Sequence, residues 1–211
     1  MKITVIDTNS VFCSAFSALH NNNVELVNAS VTSVPAEHGT AYVSPANSFL
    51  FMDGGIDWVY SRMMFPGLER HVQREARRSL PKTSLGRPFL PVGKAMLLSI
   101  PGSPACIIMA PTMFFPQDVR CTHNAYHATY AAVRCALGSG CVSHLVLPGM
   151  CTGIGKMVSI EAAAQMSSAI EDALEDRTPR YTEEQVRLEQ PMNYANKEYF
   201  DTYGIDISKS I

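Results

Sequence analysis

The sequence predicts an α/β protein, three layers deep, with a mixed, mostly parallel central sheet. Three observations lead there. Short apolar runs of strand length alternate with stretches of helical periodicity. Two glycine-bearing loops each join such a run to a helix start. Hydrophobic residues make up 46% of the 211 positions and charged residues 17%, enough apolar material for one self-sufficient core.

Taken in order, Ile3–Ile6 is a strand closed by Asp7-Thr8-Asn9-Ser10, which offers several helix N-caps. Val11 to His20 follows with Val11, Ala15 and Leu19 on one helical face, and Asn21-Asn22-Asn23 breaks it. Val24–Val27 and Ala41–Val43 are the next strands. Ile56, Val59, Tyr60 and Met63 then recur at helical spacing until Pro66-Gly67 interrupts, and Leu68, Val72 and Ala76 resume the pattern to about Ser79. Pro81 to Pro91 is irregular. Ala95–Leu98 and Cys106–Met109 pair as a hairpin across Pro101-Gly102-Ser103-Pro104, a strong turn signal. Thr122 caps a helix that ends near Leu137, with Gly138 placed to stop it. His144–Leu147 is a buried strand. Ser159 caps a last long helix carrying Ile160, Ala163, Ile170 and Leu174, with Glu161 in its first turn, where the dipole favours a carboxylate. Residues 1–176 therefore form one domain, and 177–211 a polar tail packed on it or extending from it, with a short helix near Glu183–Glu189.

Composition excludes several classes. A net charge of −2 gives no global reason to expect nucleic acid or an anionic membrane as partner. The six cysteines have no CxxC pair and read as free thiols of a reducing compartment. No apolar run reaches the roughly 18 residues of a membrane span, and the N-terminus reads as a strand, not a signal peptide. The expectation is an intracellular protein, cytoplasmic with the nucleus as the alternative. Charge is uneven: Arg62, Arg70, Arg74, Arg77, Arg78, Lys82, Arg87 and Lys94 face only Glu69 and Glu75 over one stretch. Such a run is first a solvated helix face and second a phosphate- or partner-binding patch.

The chemistry lies in the two loops. The first reads Ser44-Pro45-Ala46-Asn47-Ser48-Phe49-Leu50-Phe51-Met52-Asp53-Gly54-Gly55-Ile56-Asp57, the second Pro148-Gly149-Met150-Cys151-Thr152-Gly153-Ile154-Gly155-Lys156. Glycine lets backbone N–H groups approach an anion closely. On a parallel sheet, both loops fall beyond the C-terminal strand ends, where ligands bind in such folds. Asn47 offers a donor and an acceptor suited to ribose hydroxyls; as a plain turn residue it would tolerate left-handed geometry. Asp57 is a carboxylate able to act as general base, or an N-cap of the following helix. Asp53 is a further carboxylate candidate by proximity. Phe49, Phe51, Trp58, Met113, Phe114 and Phe115 are candidates for pocket walls, Phe49 and Phe114 foremost. His123 and His127 stand four apart on a helix but lack a third ligand, so a structural role is expected, and Cys151 reads as a spectator thiol.

Together the loops resemble those of the macrodomain family, with Ser44-Pro45-Ala46-Asn47 followed by Gly54-Gly55-Ile56-Asp57, and Thr152-Gly153-Ile154-Gly155 downstream. The resemblance runs from about Val24 to Leu174 and is closest to macrodomain-like proteins with a Ser-Pro-Ala-Asn-Ser-Phe first loop. It implies binding of ADP-ribose or an ADP-ribosylated substrate, with hydrolysis of an ADP-ribosyl bond and no metal or redox cofactor. Its alternatives are a non-catalytic reader module and a phosphatase acting on ADP-ribose 1''-phosphate. The resemblance also distributes roles. Asp57 and Asn47 are catalytic, and Ser44, Ser48, Phe49, Gly54, Gly55, Thr152, Gly153, Ile154, Gly155, Lys156 and Phe114 are ligand-binding. Three departures stand out. Ala29-Ser30-Val31 occupies the stretch where many members carry an adenine-binding Asp, leaving Asp7 as the substitute. Ser44 replaces the first Asn of the family loop, and Gly155-Lys156 replaces the aromatic after Thr-Gly-Ile.

Overall fold

Five parallel strands and one antiparallel strand build the sheet: β1 (Lys2–Ile6), β2 (Glu25–Val27), β3 (Thr40–Ser44), β4 (Met96–Ser99), β5 (Cys106–Met109) and β6 (His144–Pro148), in the order β2-β1-β6-β3-β5-β4. This is a computed structural model, and it describes residues 1–19, 24–83 and 86–180. The Asn21–Asn23 break, the tail beyond 180 and its expected helix near Glu183–Glu189 lie outside the described residues. Only β4 runs against its neighbour, pairing Leu97 with Ile108 and Leu98 with Ile107, the hairpin that Pro101-Gly102 signals.

Strand alternation sorts the side chains into two cores. Val5, Ala41, Val43, Ile108, Leu145 and Leu147 point to one face, where they meet α1 (Ser10–Leu19), α4 (Asn124–Ser139) and α5 (Ser159–Leu174). Ile6, Tyr42, Ile107, Met109 and Val146 point to the other, against α2 (Gly55–Trp58) and α3 (Leu68–Ser79). A sheet covered on both faces explains why its strands read as continuous apolar runs rather than alternating ones. The result is the three-layer α/β/α architecture. Among the described residues, no helix is long and apolar enough to cross a membrane.

Leu68, Val72 and Ala76 form the buried stripe of α3, as their spacing predicts. Other faces differ from the periodicity. In α1 the buried residues are Phe12, Cys13 and Phe16, while Val11 and Leu19 are exposed. The two phenylalanine rings carry more apolar area than the competing stripe, and area decides which face turns inward. Asn9 caps this helix, its Oδ1 accepting from Val11 N–H at 3.0 Å and Phe12 N–H at 3.3 Å. In α5, Ala162, Ala163, Met166 and Ile170 are buried and Ile160 and Leu174 exposed, because small residues let the helix pack closely on α4. α4 runs past Gly138 and stops at Gly140, which adopts the left-handed conformation.

Between Val59 and Met64 the chain forms a π-helical turn instead of continuing α2, closed by Phe65 N–H to Tyr60 O at 2.9 Å. The wider turn faces two consecutive residues inward. Tyr60 donates to Val43 O at 3.2 Å, and Ser61 to Met52 O at 2.8 Å.

Past α5 the chain is strapped back by one buried carboxylate. Asp172, 1% exposed, accepts from Tyr126 Oη at 2.8 Å, Arg180 Nε at 2.5 Å and Arg177 Nη1 at 3.2 Å. Burial pushes its carboxyl up, but the hydrogen bonds from Arg180, Tyr126 and Arg177 outweigh that and hold it below the usual carboxylate range. A carboxyl lowered on folding stabilises the fold above its unfolded titration range and loses that contribution as pH falls through its folded value. Asp172→Asn is expected to cost about 2 kcal/mol at neutral pH in urea denaturation, since it leaves Arg180 without its anion and Arg177 with Glu175 alone. The difference from wild type shrinks as pH falls below about 4.

Candidate functional site

The pairing of β1 with β6 runs Ile6 against Pro148, so the residues that leave the sheet next, Asp7 and Gly149, lie side by side. Gly149 N–H donates to Asp7 Oδ2 at 3.1 Å, and Asn9 N–H to Oδ1 at 2.8 Å. A Cβ on Gly149 would sit 2.4 Å from Asp7 Oδ2, so a larger residue there would push the Asp7 carboxylate aside. β3 flanks β6 on its other side and delivers the first loop to the same sheet edge. A cleft of about 370 Å³ opens there, bordered by both glycine loops.

The first loop supplies Asn47, Phe51, Asp53, Gly54, Gly55 and Asp57 to its wall. Asn47 Oδ1 accepts from Phe49 N–H at 2.9 Å, a local turn that shapes the loop. Leu50 adopts a φ of +62°, a conformation that costs a leucine about 1 kcal/mol. The loop is held there by α3: Gln73 Nε2 donates to Phe49 O at 2.7 Å and Leu50 O at 2.9 Å, and Glu69 Oε1 accepts from Met52 N–H at 3.1 Å.

The second loop supplies Cys151, Thr152, Gly153, Ile154 and Gly155. It is drawn tight by Lys156 N–H to Gly153 O and Met157 N–H to Cys151 O, both 3.0 Å, and by Val119 N–H to Gly155 O at 2.9 Å. Gly155 is buried, and a Cβ there would lie 2.7 Å from Cys151 O and 2.8 Å from Val119 Cγ2. The Cys151 thiol is buried and pushed well above its ordinary range by desolvation, so it stays protonated. The loops meet across the cleft, where a Cβ on Gly54 would stand 3.4 Å from Ile154 Cδ1.

Asp57 is the chemically distinctive group. It is 7% exposed and faces the cleft. Burial pushes its carboxyl up to about 7; the Ser44 hydroxyl, donating to Oδ1 at 2.5 Å, pulls the other way, and the negative charges of Asp53 and Glu69 add to the rise. It is not the N-cap of α2: Gly54 takes that position without a side-chain hydrogen bond, and Asp57 stands inside the first turn. The charged residues of the wall are Asp7, Asp53 and Asp57, with no lysine or arginine among the lining residues. An anion in this cleft would therefore meet backbone N–H groups and uncharged side-chain donors such as Thr152.

Of the residues expected to bind ligand, Asp7, Asn47, Gly54, Gly55, Asp57, Thr152, Gly153, Ile154 and Gly155 share the cleft wall. Five others stand outside it. Ser44 is fully buried and acts through Asp57. Ser48 is buried behind the loop, donating to Met113 O at 3.3 Å. Phe49 and Phe114 pack with Phe89 and Phe115 in an aromatic cluster, Phe49 stacked on Phe115 at 4.7 Å and Phe114 edge-on to it at 4.6 Å. Their rings bury more apolar area in that cluster than a wet cleft could offer. Lys156 is exposed, with a φ of +55°. Sequence reasoning missed Thr8, Ile56, Val59, Thr112 and Pro116 as lining residues. Thr112 and Pro116 arrive because β5 pairs in parallel with β3, an adjacency that periodicity does not encode. Among the described residues, no group of three His, Cys, Asp or Glu side chains is placed to hold a metal ion.

No family model matches the chain. It is 32% identical over 177 residues to an uncharacterized protein of Aeropyrum pernix, covering 83% of this chain and 85% of that one. A second uncharacterized protein, from Aquifex aeolicus, is 33% identical over 153 residues, covering 70% and 81%. The chain belongs to one sequence family with these proteins. Among solved structures, a variant of the Oceanobacillus iheyensis macrodomain with ADPR superposes with a TM-score of 0.53 at 19% identity, covering 80% of this chain and 89% of that one. The macrodomain of Mycobacterium tuberculosis DarG superposes with a TM-score of 0.52 at 16% identity, covering 68% and 87%. The chain has the macrodomain fold. The cleft beyond β1, β6 and β3 is where this chain brings its two glycine loops together.

Two outcomes follow from the packing. A carboxyl raised on folding takes up protons in the native state, so stability falls as pH rises from about 4 to about 7 and stays low above that. Asp57→Asn removes the charge that burial opposes, and is expected to stabilise the protein by about 1–2 kcal/mol at pH 8 and by nothing measurable at pH 4, read from melting curves. Gly155→Ala is expected to cost about 2 kcal/mol through overlap with Cys151 O and Val119, visible in urea denaturation.

Proposed function

We propose that this cleft binds ADP-ribose and hydrolyses the bond joining its outer ribose to a protein or small-molecule acceptor. The observation that carries the reading is a buried carboxyl of near-neutral titration, Asp57, on the wall of a cleft whose other walls are two backbone loops. The Oceanobacillus iheyensis macrodomain, solved with ADPR and with ADP, supports the choice of ligand.

The diphosphate lies against the N–H groups of the Gly153-Ile154-Gly155 loop, with the Thr152 hydroxyl alongside. The outer ribose sits against Asn47 and the Gly54-Gly55 backbone. Asp7, which like Ser30 lines the cleft, accepts from the adenine amino group in place of the family's missing aspartate. Asp57 Oδ1 is held by Ser44, which leaves Oδ2 to take a proton from the water that attacks the anomeric carbon. Ser44 is thus a positioning residue for Asp57, and Ser48, Phe49 and Phe114 support the loop from behind. A base that titrates near 7 has both the ionised fraction and the proton affinity that neutral-pH catalysis needs.

The competing reading is a module that holds ADP-ribose without cleaving it. Calorimetry is expected to show ADP-ribose binding in both cases, and no binding at millimolar ligand would end both. Turnover of a mono-ADP-ribosylated protein selects the hydrolase. Asp57→Ala then binds with wild-type affinity and loses about 100-fold or more in kcat, and the wild-type rate falls as pH drops through about 7. Binding without turnover in the wild type leaves the reader module.

A further inference from the structure

The basic run of the sequence is not absorbed by the cleft, and its charges are unequally engaged. Arg74 and Arg78 both pair with Glu75, at 3.0 and 3.2 Å, and Arg62 pairs with Glu69 at 3.1 Å. Arg70 and Arg77 make no ion pair among the described residues, and both are exposed. They stand seven residues apart on α3, two turns along the same side, so their Cα atoms are about 10 Å apart. Together with Phe51, Arg62, Gly67, Glu69 and Gln73 they line a second groove of about 390 Å³.

That groove adjoins the cleft. Phe51 lines both, and Gln73, in the groove wall, is the side chain that holds the Phe49 and Leu50 carbonyls of the first loop. A substituent leaving the cleft over Phe51 enters a channel whose unneutralised charges are two guanidinium groups.

We propose that this groove receives an acidic stretch of the protein chain that carries the ADP-ribosyl group, with one carboxylate on Arg70 and another on Arg77. The proposal rests on the reading of the cleft given above. A peptide in the polyproline II conformation has three residues per turn and rises about 3.1 Å per residue, so acidic side chains three residues apart share one side at about 9 Å and match the spacing of the two arginines. Guanidinium forks recognise carboxylates bidentately, which gives register as well as charge. A nucleic-acid strand fits less well: its dense phosphates would run beside Asp53 and Asp57, on a chain of net charge −2, against two unpaired cations among the described residues that line the groove.

The test uses the full chain with Asp57→Ala to prevent turnover, and two mono-ADP-ribosylated peptides that differ only in Glu or Gln at flanking positions. The Glu peptide is expected to bind about five- to tenfold more tightly, an advantage lost in Arg70→Ala/Arg77→Ala and at 0.5 M salt, a condition chosen at about a 4 Å screening length. Free ADP-ribose binds that double variant with unchanged affinity, which shows that the fold and cleft survive. Equal affinity for the two peptides overturns the proposal, as does an ADP-ribose affinity that falls in step with the peptide's. Tighter binding of an oligothymidylate than of the Glu peptide overturns it in favour of nucleic acid. If free ADP-ribose fails to bind, the reading of the cleft falls; unmodified Glu and Gln peptides then test the groove alone, and equal affinity for them overturns the groove as well.

Discussion

Everything at the functional edge depends on the parallel pairing of β1, β6 and β3. Parallel strands present their C-terminal ends together, and these three, adjacent at the centre of the sheet, release their chains within one groove's width. A slip of one residue between β1 and β6 would part Asp7 from Gly149 and turn Ile3, Val5, Leu145 and Leu147 out of their core. The hydrophobic pattern on both faces makes such a slip costly. The position of the loops is therefore guaranteed by burial elsewhere in the sheet, not by contacts within the loops.

The cost of the site is concentrated at Asp57, a carboxyl that folding pushes toward neutrality. Its surroundings are unusually braced. The π-helical turn brings Tyr60 and Ser61 inward together, tying the segment after Asp57 to β3 through Val43 O and to the first loop through Met52 O. A regular α-helical turn would direct only one of the two to that side. α3 adds Gln73 and Glu69 on the loop backbone. These groups hold in place a leucine at positive φ and a carboxylate in a dry wall, two features that the loop would relax if left to itself.

Much of this was legible in the sequence, and the gaps have physical causes. The α3 stripe, the β4–β5 hairpin and the alternation of strands with helices are local patterns, and local patterns survive into the fold. Choosing between two apolar faces of α1 required weighing side-chain area, where Phe12 and Phe16 prevail over Val11 and Leu19. The π-helical turn has no composition signal, because it arises from what Tyr60 and Ser61 find to bond. Within the site, backbone-bearing residues such as Gly54 and Gly153 were legible from glycine spacing. Ser44, Ser48 and Phe49 share the first loop's sequence and Phe114 follows β5, but all four turn away from the cleft, and direction along an irregular segment has no period to read. The lining residues from the segment after β5 depend on strand pairing across 60 or so residues of chain, which no window of sequence contains.

The separation of charge between cleft and groove bears on the third activity the resemblance implies. A phosphatase acting on a phosphate at the outer ribose would place a dianion next to Asp57 and Asp53, and no lysine or arginine lines that wall. Backbone donors can hold one phosphate group through several N–H bonds, the role proposed for the second loop, but Asp53 and Asp57 stand where such a reaction would need cations. Hydrolysis of an ADP-ribosyl bond makes the opposite demand. Positive charge develops on the ribose as the acceptor leaves, and a nearby carboxylate stabilises it while ordering the water. The same carboxyls that would repel a terminal phosphate would suit an oxocarbenium-like ribose, and the arginines that would attract an anion line the adjoining groove, where the proposed acceptor chain would lie.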